Sequence, residues 1–236
     1  MRPDPAASGL VLRGVAPPLR WSDYAVAAFD MDSTLITIEC IDEVADFAGK
    51  KAEVAAITEA AMRGEIADFG ESLRRRLALL AGVGVEALQR VLDERLRLSD
   101  GAAALLAACR AHGLATVLVS GGFTFFAEPV RERLAIDVAR ANGLEVADGR
   151  LTGRLVAQPW GHIVDGAMKR QTLLETCERL GVAPSRAIAV GDGANDLPML
   201  DAAGLSVAFH AKPAVRERAM VSIERGGLDR LLELFA

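Results

Sequence analysis

The sequence predicts an α/β fold, in which a parallel sheet is flanked by helices and carries an inserted helical cap. Three observations support this prediction. Short, continuous apolar runs recur along the chain, helical stretches separate most of them, and one long segment between the first two runs shows helical periodicity alone. Continuous apolar runs are typical of strands covered on both faces, and the alternation of strands with helices indicates a parallel sheet.

Four apolar runs are the predicted strands of this sheet. They are Tyr24–Phe29, Ala115–Val119, Ala187–Val190 and Leu205–Phe209. Helices are predicted between most of them, as at Gly101–His112 and Lys169–Leu180. The second of these helices precedes Gly181, and a glycine directly after an apolar-periodic stretch is a helix-stop signal. The predicted elements therefore alternate as parallel strands require.

The segment from Asp42 to about Ser99 interrupts this alternation. It contains helical periodicity and no convincing strand, and it is too long for a single crossover helix. We therefore predict that residues 40–99 form a helical cap, which is inserted into a core of residues 21–39 and 100–236.

Two further segments depart from the pattern. Residues 1–20 contain four prolines and no apolar stretch before a cleavage site, so we expect an irregular N-terminal arm and not a signal peptide. In Leu144–Leu155, the pair Asp148-Gly149 lies between apolar-containing runs, which predicts a β-hairpin.

Composition argues against several classes of function. The chain has 236 residues, of which 51% are hydrophobic and 25% charged, and its net charge is −5. Negative charge without a basic tail argues against nucleic acid and membranes as partners. The three cysteines show no metal-ligand spacing, which argues against a disulfide framework or a structural zinc site. The default expectation is a cytoplasmic protein with a small-molecule substrate, either monomer or homodimer.

Polar side chains follow three of the predicted strands at the point where each strand ends. Asp30, Ser120 and Asp192 come directly, or one residue, after an apolar run. Because parallel strands end at one edge of a sheet, and open sheets bind ligands there, these residues are expected to converge. Solvated loops also place polar residues at strand ends, but three residues of matching chemistry favour a site.

The segment Asp30-Met31-Asp32-Ser33-Thr34 indicates a metal. Its two carboxylates lie on one tight turn and repel each other, so a cation would compensate them, and hard oxygen ligands suit Mg²⁺. A second acidic segment, Gly191–Asp196, could complete the metal site. The competing interpretation of this segment is a dinucleotide-binding glycine loop, but the third glycine is absent and acids replace it.

Lys169 lies near the start of a predicted helix. There it could neutralise a phosphate group that Mg²⁺ and helix N–H groups hold. The alternative is an ordinary solvated lysine. Only four of the 27 basic residues are lysines, so a lysine at this position is less expected than an arginine.

Helical geometry singles out Arg76. If Phe69, Leu73 and Leu77 form an apolar stripe on one helix, Arg75 points away from the stripe, whereas Arg76 lies beside it. An inward-facing guanidinium needs a partner, and a substrate carboxylate can accept both arms of its fork. The alternative is that all three neighbouring arginines form a solvated face.

From about Trp21 to Ala236, the chain resembles the haloacid dehalogenase superfamily of phosphotransferases. Four ordered segments carry the resemblance. They are Asp30-Met-Asp32-Ser-Thr-Leu35, Ser120-Gly121-Gly122, Lys169 and Gly191-Asp192-Gly-Ala-Asn195-Asp196. Further segments are similar to the phosphoserine branch, namely Glu39, Ile41–Ala45, Ser72–Arg76, Val119–Phe123 and Ala211–Pro213. The resemblance implies a Rossmann-like core and Mg²⁺-dependent hydrolysis of O-phosphoserine to serine and phosphate, the last step of serine biosynthesis.

The resemblance also implies roles for the acidic residues. Asp30 would attack phosphorus and become an aspartyl phosphate. Asp32 would protonate the leaving serine oxygen and then activate the water that hydrolyses this intermediate. Mg²⁺ would be held by Asp30, the backbone carbonyl of Asp32, and Asp192, with Asp196 supporting them from outside.

The remaining roles implied by the resemblance concern the substrate. Glu39 would bind its ammonium group and Arg76 its carboxylate. For Glu39 the alternative is an acid that is placed at a helix N-terminus because the helix dipole favours it. Phosphate oxygens would contact Ser120, Gly121, Lys169 and Asn195.

Two rival functions remain open at this level. One is a phosphatase or phosphotransferase for another small phosphomonoester, such as phosphohomoserine or a sugar phosphate. The other is a non-catalytic signalling module that accepts phosphate on an aspartate with the help of Mg²⁺. The position of Asp32, two residues after the acceptor, and the predicted cap disfavour the signalling module.

Overall fold

The computed structural model describes residues 9–62, 65–66 and 68–236. Its strands are β1 (Leu10–Leu12), β2 (Val26–Phe29), β3 (Ala115–Phe123), β4 (Val138–Asn142), β5 (Leu144–Ala147), β6 (Arg150–Leu155), β7 (Ala187–Gly191), β8 (Leu205–Phe209) and β9 (Val221–Ile223). Its α-helices are α1 (Cys40–Phe47), α2 (Lys51–Met62), α3 (Phe69–Ala78), α4 (Val85–Arg90), α5 (Ala102–Ala111), α6 (Thr124–Leu134), α7 (Gly166–Arg179), α8 (Leu197–Ala202) and α9 (Pro213–Arg218). No helix in the described ranges is both long enough and apolar enough to cross a membrane.

Seven strands form one sheet in the order β1-β9-β8-β7-β2-β3-β4. All neighbouring pairs are parallel except β1 with β9 at one edge. The four strands predicted from apolar runs are β8, β7, β2 and β3, which lie side by side in the sheet. The predicted α/β fold with a parallel sheet is therefore confirmed.

The sheet is covered on both faces. In β2, Ala27 and Phe29 belong to one apolar cluster, whereas Val26 and Ala28 belong to a second one. All four side chains are fully buried. Because successive side chains of a strand point to opposite faces, a strand between two cores is apolar at every position, which explains the continuous runs.

At β2 the chain changes its direction along the sheet. It continues from β2 to β3 and β4 on one side, and it later returns through α7 to β7 on the other side. Connections that leave in opposite directions open a crevice at the carboxyl ends of the strands. This crevice lies directly beyond Phe29, the last residue of β2.

Helices α1 to α4 and a following π turn, Val91–Arg95, lie in the chain between β2 and β3. The two segments that join them to the sheet run side by side as a short antiparallel ribbon. Ile36 is bridged to Leu98, and the N–H of Thr37 donates to the carbonyl of Arg97 at 3.0 Å. The inserted helices are thus connected to the sheet through backbone segments that are bonded to each other.

The structure differs from the expected irregular arm over residues 1–20. Leu10–Leu12 form β1, which pairs with β9 at the edge of the sheet, and the N–H of Arg13 donates to the carbonyl of Met220 at 2.7 Å. A run of three apolar residues is too short to be recognised from periodicity, and its partner lies near the other end of the chain. Residues 1–8 lie outside the described residues.

The predicted hairpin is present as β5 and β6. At its turn, Asp148 and Gly149 have φ values of 49° and 72°. Two successive residues with positive φ are what a two-residue type I′ turn requires, and Asp-Gly is a favoured pair for it.

Candidate active site

The carboxylate of Asp30 lies just beyond β2 and is paired with a buried lysine. The N–H of Asp30 donates to the carbonyl of Val190 in β7 at 3.0 Å. This bond fixes the backbone of Asp30 next to β7. Lys169 Nζ lies 2.6 Å from Asp30 Oδ1 and 2.6 Å from Asp196 Oδ1. Lys169 and Asp196 are fully buried, and Asp30 is 5% exposed. Three distant segments of the chain therefore meet at one ammonium group.

Lys169 lies in the first turn of α7. This helix begins after Asp165, whose side chain accepts the N–H of Met168 at 2.8 Å and so caps the helix. Burial alone would lower the pKa of Lys169, but the carboxylates of Asp196 and Asp30 raise it above its ordinary value. The lysine is therefore charged at neutral pH.

A tight turn over Met31–Leu35 follows Asp30. Within it, Asp32 is extended with ψ 135°, and Ser33 is left-handed with φ 55°. The N–H of Ile36 donates to the carbonyl of Met31 at 3.0 Å and closes the turn. This geometry brings the side chains of Asp30 and Asp32 to the lining of one cavity.

Asp32 is half-buried, and the Oδ1 atom of its carboxyl group is fully buried. Its Oδ1 has no hydrogen-bond partner within the described part of the chain. Burial and, after it, the charge of Glu39 raise the pKa of Asp32 to about 8, against an opposing effect of neighbouring Cys40. A carboxyl group with this pKa is protonated at neutral pH, so Asp32 can serve as a general acid.

Asp30, Asp192 and Asp196 form an acidic cluster, in which one carboxylate oxygen of each lies within 4.8 Å of the others. Burial and then the charge of Asp196 raise the pKa of Asp192 to about 7, and burial raises the pKa of Asp30. Thr34 Oγ1 donates to Asp192 Oδ1 at 3.3 Å. Clustered carboxylate oxygens repel one another, and a bound cation would relieve this repulsion. Oxygen ligands of this kind suit a hard divalent cation such as Mg²⁺.

Both oxygens of Asp196 are already engaged by the protein. Oδ1 contacts Lys169, and Oδ2 accepts the N–H groups of Asp192 at 3.1 Å and Gly193 at 2.9 Å. Oδ2 of Asp30 and Oδ2 of Asp192, by contrast, accept no hydrogen bond from the residues that the structure describes. Asp30 and Asp192 can therefore offer ligands to a cation, while Asp196 holds the loop that carries Asp192.

Ser120, Gly121 and Gly122 form an irregularity near the end of β3. The pairing of β3 with β4 is regular up to Val119 and shifts register before Phe123, so the three residues between them bulge from the ladder. The N–H of Gly122 donates to Ser120 Oγ at 2.9 Å. All three residues line the cavity beside Asp30 and Asp32.

The inserted helices contribute Arg76 to the same cavity, and Glu39 directly precedes them. Ser33 Oγ donates to Glu39 Oε1 at 2.7 Å. On α3, Arg76 lines the cavity, and its Nε donates to the carbonyl of Ser72 at 3.4 Å. Burial lowers the pKa of Arg76, although nearby carboxylates oppose this effect. Arg75 instead has a 55% exposed side chain and pairs with Glu71.

The cavity has a volume of about 460 Å³ and brings the predicted site residues together. Lys169 and Asp196 do not line it, since they are fully buried behind Asp30. The phosphate contact expected for Lys169 therefore stays a prediction. The other eight predicted residues line the cavity: Asp30, Asp32, Glu39, Arg76, Ser120, Gly121, Asp192 and Asn195.

Three residues to which the sequence analysis gave no role also lie at the site. Asp42 and Lys212 line the cavity, and the N–H of Lys212 donates to the carbonyl of Asp192 at 3.2 Å. Asn142, at the end of β4, is fully buried and bonded to Gly121. Lys212 lies within the segment Ala211–Pro213, which carries part of the resemblance but had no role assigned to it. No local pattern marks Asn142, because its contacts are with residues distant in the sequence.

Residues 27–201 match the family of haloacid dehalogenase-like hydrolases. The chain is also similar over its full length to a phosphoserine phosphatase of Albidiferax ferrireducens. The two are 64% identical over 235 residues, which cover 100% of this chain and 99% of the relative.

Two solved structures of phosphoserine phosphatase are similar in fold. One is a phospho-aspartyl intermediate analogue, and the other is a substrate-bound complex. Each has a TM-score of 0.82 and 36% sequence identity, and each match covers 90% of this chain and 99% of the other.

Proposed function

This chain belongs to the family of haloacid dehalogenase-like hydrolases, and on this premise we propose that it hydrolyses O-phosphoserine to serine and phosphate, the last step of serine biosynthesis. One observation carries the proposal. Asp30 and Asp32 line the same cavity as Glu39 and Arg76. One small molecule could therefore present its phosphoryl group to Asp30 and Asp32 and its amino-acid group to Glu39 and Arg76. The similarity to phosphoserine phosphatases supports the same substrate.

In the first step of the proposed reaction, Asp30 is the nucleophile. Lys169 donates to Oδ1 and so orients the carboxylate, one oxygen of which attacks phosphorus while the other would be a ligand of the cation. As the bond from Asp30 to phosphorus forms, the bond from phosphorus to the serine oxygen breaks, and Asp32 gives its proton to that oxygen. The carboxyl group of Asp32, with its pKa of about 8, suits this role.

In the second step, the roles of the carboxyl groups reverse. Asp32, now ionised, takes a proton from a water molecule. The water oxygen bonds to phosphorus, and the bond between phosphorus and Asp30 breaks, which releases phosphate. Asp30 is then again a carboxylate and Asp32 again an acid, so the cycle is balanced without a further reactant.

The residues that would hold Mg²⁺ are Asp30, Asp192 and the backbone carbonyl of Asp32. The ion would supply positive charge close to the phosphoryl oxygens, where negative charge is spread in the transition state. Asp196 would support these ligands from outside, as its bonds to the backbone of Asp192 and Gly193 suggest. Ser120, Gly121, Lys169 and Asn195 would contact the phosphate oxygens, and Lys169 would also position Asp30.

Glu39 and Arg76 would recognise the amino-acid head group. Glu39 would accept hydrogen bonds from the ammonium, and the guanidinium of Arg76 would donate to the carboxylate. The terminal nitrogens of Arg76 have no acceptor among the residues described here, and an inward-facing guanidinium needs a partner. A substrate carboxylate would supply it in bidentate form.

We also infer that residues 40–99 act as a cap over a core of residues 21–39 and 100–236. Phe69, on α3, lies so close to Gly121 that a Cβ atom at Gly121 would come within 2.8 Å of the phenyl ring. This contact between α3 and the Ser120–Gly122 bulge supports the proposed cap. A cap at this position would exclude competing water during phosphoryl transfer.

The decisive test is phosphate release from L-phosphoserine by the purified chain. Release is expected with Mg²⁺, loss of release with EDTA, and recovery when excess Mg²⁺ is added back. Release from a sugar phosphate but not from phosphoserine would overturn the substrate assignment. A stable phosphoprotein without turnover would overturn the hydrolase mechanism and favour the signalling module.

A further inference from the structure

Asn142 links two parts of the site without lining the cavity. It is the last residue of β4 and is fully buried. Its Nδ2 donates to the carbonyl of Gly121 at 2.9 Å, and its Oδ1 accepts the N–H of Val164 at 2.9 Å. Gly121 belongs to the bulge at the cavity, and Val164 leads into α7, which carries Lys169. One side-chain amide therefore joins the bulge to the segment that positions the lysine.

The bond to Gly121 sets the orientation of a peptide group. The carbonyl of Gly121 and the N–H of Gly122 belong to the same peptide, and in a trans peptide they point in opposite directions. Because Asn142 holds the carbonyl on one side, the N–H is directed to the other side, where it donates to Ser120 Oγ at 2.9 Å. Between two glycines the peptide has little steric restraint of its own, so this external bond decides its orientation.

The orientation of that peptide determines what the Ser120 hydroxyl can do. A hydroxyl group has one donor and two acceptor lone pairs. The N–H of Gly122 occupies one lone pair, and the O–H has no acceptor among the described residues. Ser120 is 1% exposed and lines the cavity, so its proton is left for an acceptor inside that cavity.

We propose that Asn142 is a positioning residue for phosphoryl transfer. By holding the peptide between Gly121 and Gly122, it keeps Ser120 Oγ an acceptor toward the backbone and thereby a donor toward the phosphoryl group. The inference rests on the proposed function, because it concerns the same site. If the peptide turned over, the Gly122 N–H would leave Ser120, and the serine hydroxyl could be drawn to a backbone carbonyl instead.

The test is a double-mutant cycle between Asn142 and Ser120. Asn142→Asp keeps the size of the side chain and an acceptor for the Val164 N–H. Burial raises the pKa of a carboxyl group at this position, so the variant is assayed over a rising pH series, in which its ionised form cannot donate to the Gly121 carbonyl. We expect kcat/KM to fall about 10- to 100-fold in Asn142→Asp and by a similar factor in Ser120→Ala. The double variant should lose little more than the more impaired single variant, because both changes remove the same donor.

If the fold-decrease in kcat/KM of the double variant equals the product of the two single decreases, Asn142 acts independently of Ser120. This result would overturn the proposal. The matched control is Thr116→Val, at the other end of the β3–β4 pair. Thr116 is buried, and its Oγ1 donates to Asp137 Oδ2 at 2.9 Å. This variant should lower the melting temperature by about as much as Asn142→Asp does, yet keep kcat/KM within about twofold. If Thr116→Val loses as much activity as Asn142→Asp, the effect of Asn142 is explained by loss of stability alone. This result would also overturn the proposal.

The cycle is measured with phosphoserine, with p-nitrophenyl phosphate, and by calorimetric binding of inorganic phosphate in the presence of Mg²⁺. If the parent protein turns over only the nitrophenyl ester, the proposed substrate is wrong, but the coupling between Asn142 and Ser120 is still read from that ester. Phosphate affinity gives the coupling without any turnover. Independent effects of the two substitutions on phosphate affinity as well as on kcat/KM would leave Asn142 no role in the site.

Discussion

Lys169 Nζ lies 2.6 Å from Asp30 Oδ1, and their side chains are 0% and 7% exposed. The same ammonium lies 2.6 Å from Asp196 Oδ1. One cation thus compensates two carboxylates that are excluded from water, and removing it leaves buried charges without a partner. Among the residues that the structure describes, Asp30 Oδ2 accepts no hydrogen bond, so the bond from Lys169 orients this carboxylate.

Lys169→Met should strongly destabilise the metal-free protein. We expect the free energy of unfolding to fall by about 3–5 kcal/mol, because both carboxylates lose their counter-charge in a buried site. Urea unfolding in EDTA measures this change. Lys50→Met is the control, since Lys50 is exposed and pairs with Glu53 at the surface; its effect should stay within about 0.5 kcal/mol. Equal stability of the two variants would contradict the role of Lys169 as a buried counter-charge.

Asp30→Asn should remove turnover and leave the fold intact. The amide oxygen can still accept a hydrogen bond from Lys169, but it cannot form the covalent bond to phosphorus. We expect kcat to fall at least about 10³-fold, with a circular dichroism spectrum like that of the parent. Residual turnover within about tenfold of the parent, measured by phosphate release, would show that another group is the nucleophile.

Asp32→Asn should change how stability depends on pH. The pKa of Asp32 is about 8 in the folded protein, whereas an unfolded aspartate titrates near 4. Between these values the folded state holds a proton that the unfolded state has released, so this group makes the free energy of unfolding decrease as pH rises. The amide does not titrate. The difference in the free energy of unfolding, variant minus parent, should therefore be about 1–2 kcal/mol larger at about pH 7.5 than at about pH 5.5.

Urea unfolding of parent and variant in EDTA at both pH values measures this gain. Asp93→Asn is the control, because Asp93 is exposed on the inserted segment and bonds to Gln89. It should leave the difference between the two pH values as in the parent. Parallel pH dependences of the parent and Asp32→Asn would contradict a protonated carboxyl group at this position.

Glu39 and Arg76 should determine substrate selectivity. Phosphoethanolamine lacks the carboxylate and phosphoglycerate lacks the ammonium, so each should have a kcat/KM about 10- to 100-fold below that of phosphoserine. Arg76→Ala should abolish the preference for phosphoserine over phosphoethanolamine, and Glu39→Gln the preference over phosphoglycerate. Arg75→Ala, on the outer side of the same helix, should change neither ratio. Equal kcat/KM for all three substrates in the parent would reject the assigned pocket.

The sequence allowed the centre of the fold to be predicted more fully than its edges. Buried strands between two cores must be apolar throughout, so runs such as Ala187–Val190 were recognisable. The hairpin turn was recognisable because few residue pairs suit two successive positive φ values, as at Asp148 and Gly149. Leu10–Leu12 were missed because their strand depends on pairing with Val221–Ile223, which no local pattern encodes.

The same distinction applies to the site. Residues whose chemistry is unusual for their position, such as Asp30 and Asp32 on one turn, were found in the sequence, and the structure places them together. Asn142 was not found, because an asparagine before a turn is ordinary in sequence. Only the fold brings it to the carbonyl of Gly121, 21 residues away. The buried position of Lys169 behind Asp30 was also not predictable, since it depends on the packing of α7 against the sheet.

The ribbon that bridges Ile36 to Leu98 limits how the inserted helices can move. Two backbone segments that share hydrogen bonds can bend together, but one cannot slide past the other without breaking those bonds. The inserted helices are held to the core at a second place as well, where the N–H of Gly82 donates to the carbonyl of Leu151 at 2.8 Å and the N–H of Val85 to the carbonyl of Gly149 at 2.9 Å. A displacement of the helices must therefore carry the β5–β6 hairpin with it or break these bonds. Glu39 follows the first segment of the ribbon directly in the sequence and accepts a hydrogen bond from Ser33, which anchors its carboxylate to the turn beyond β2.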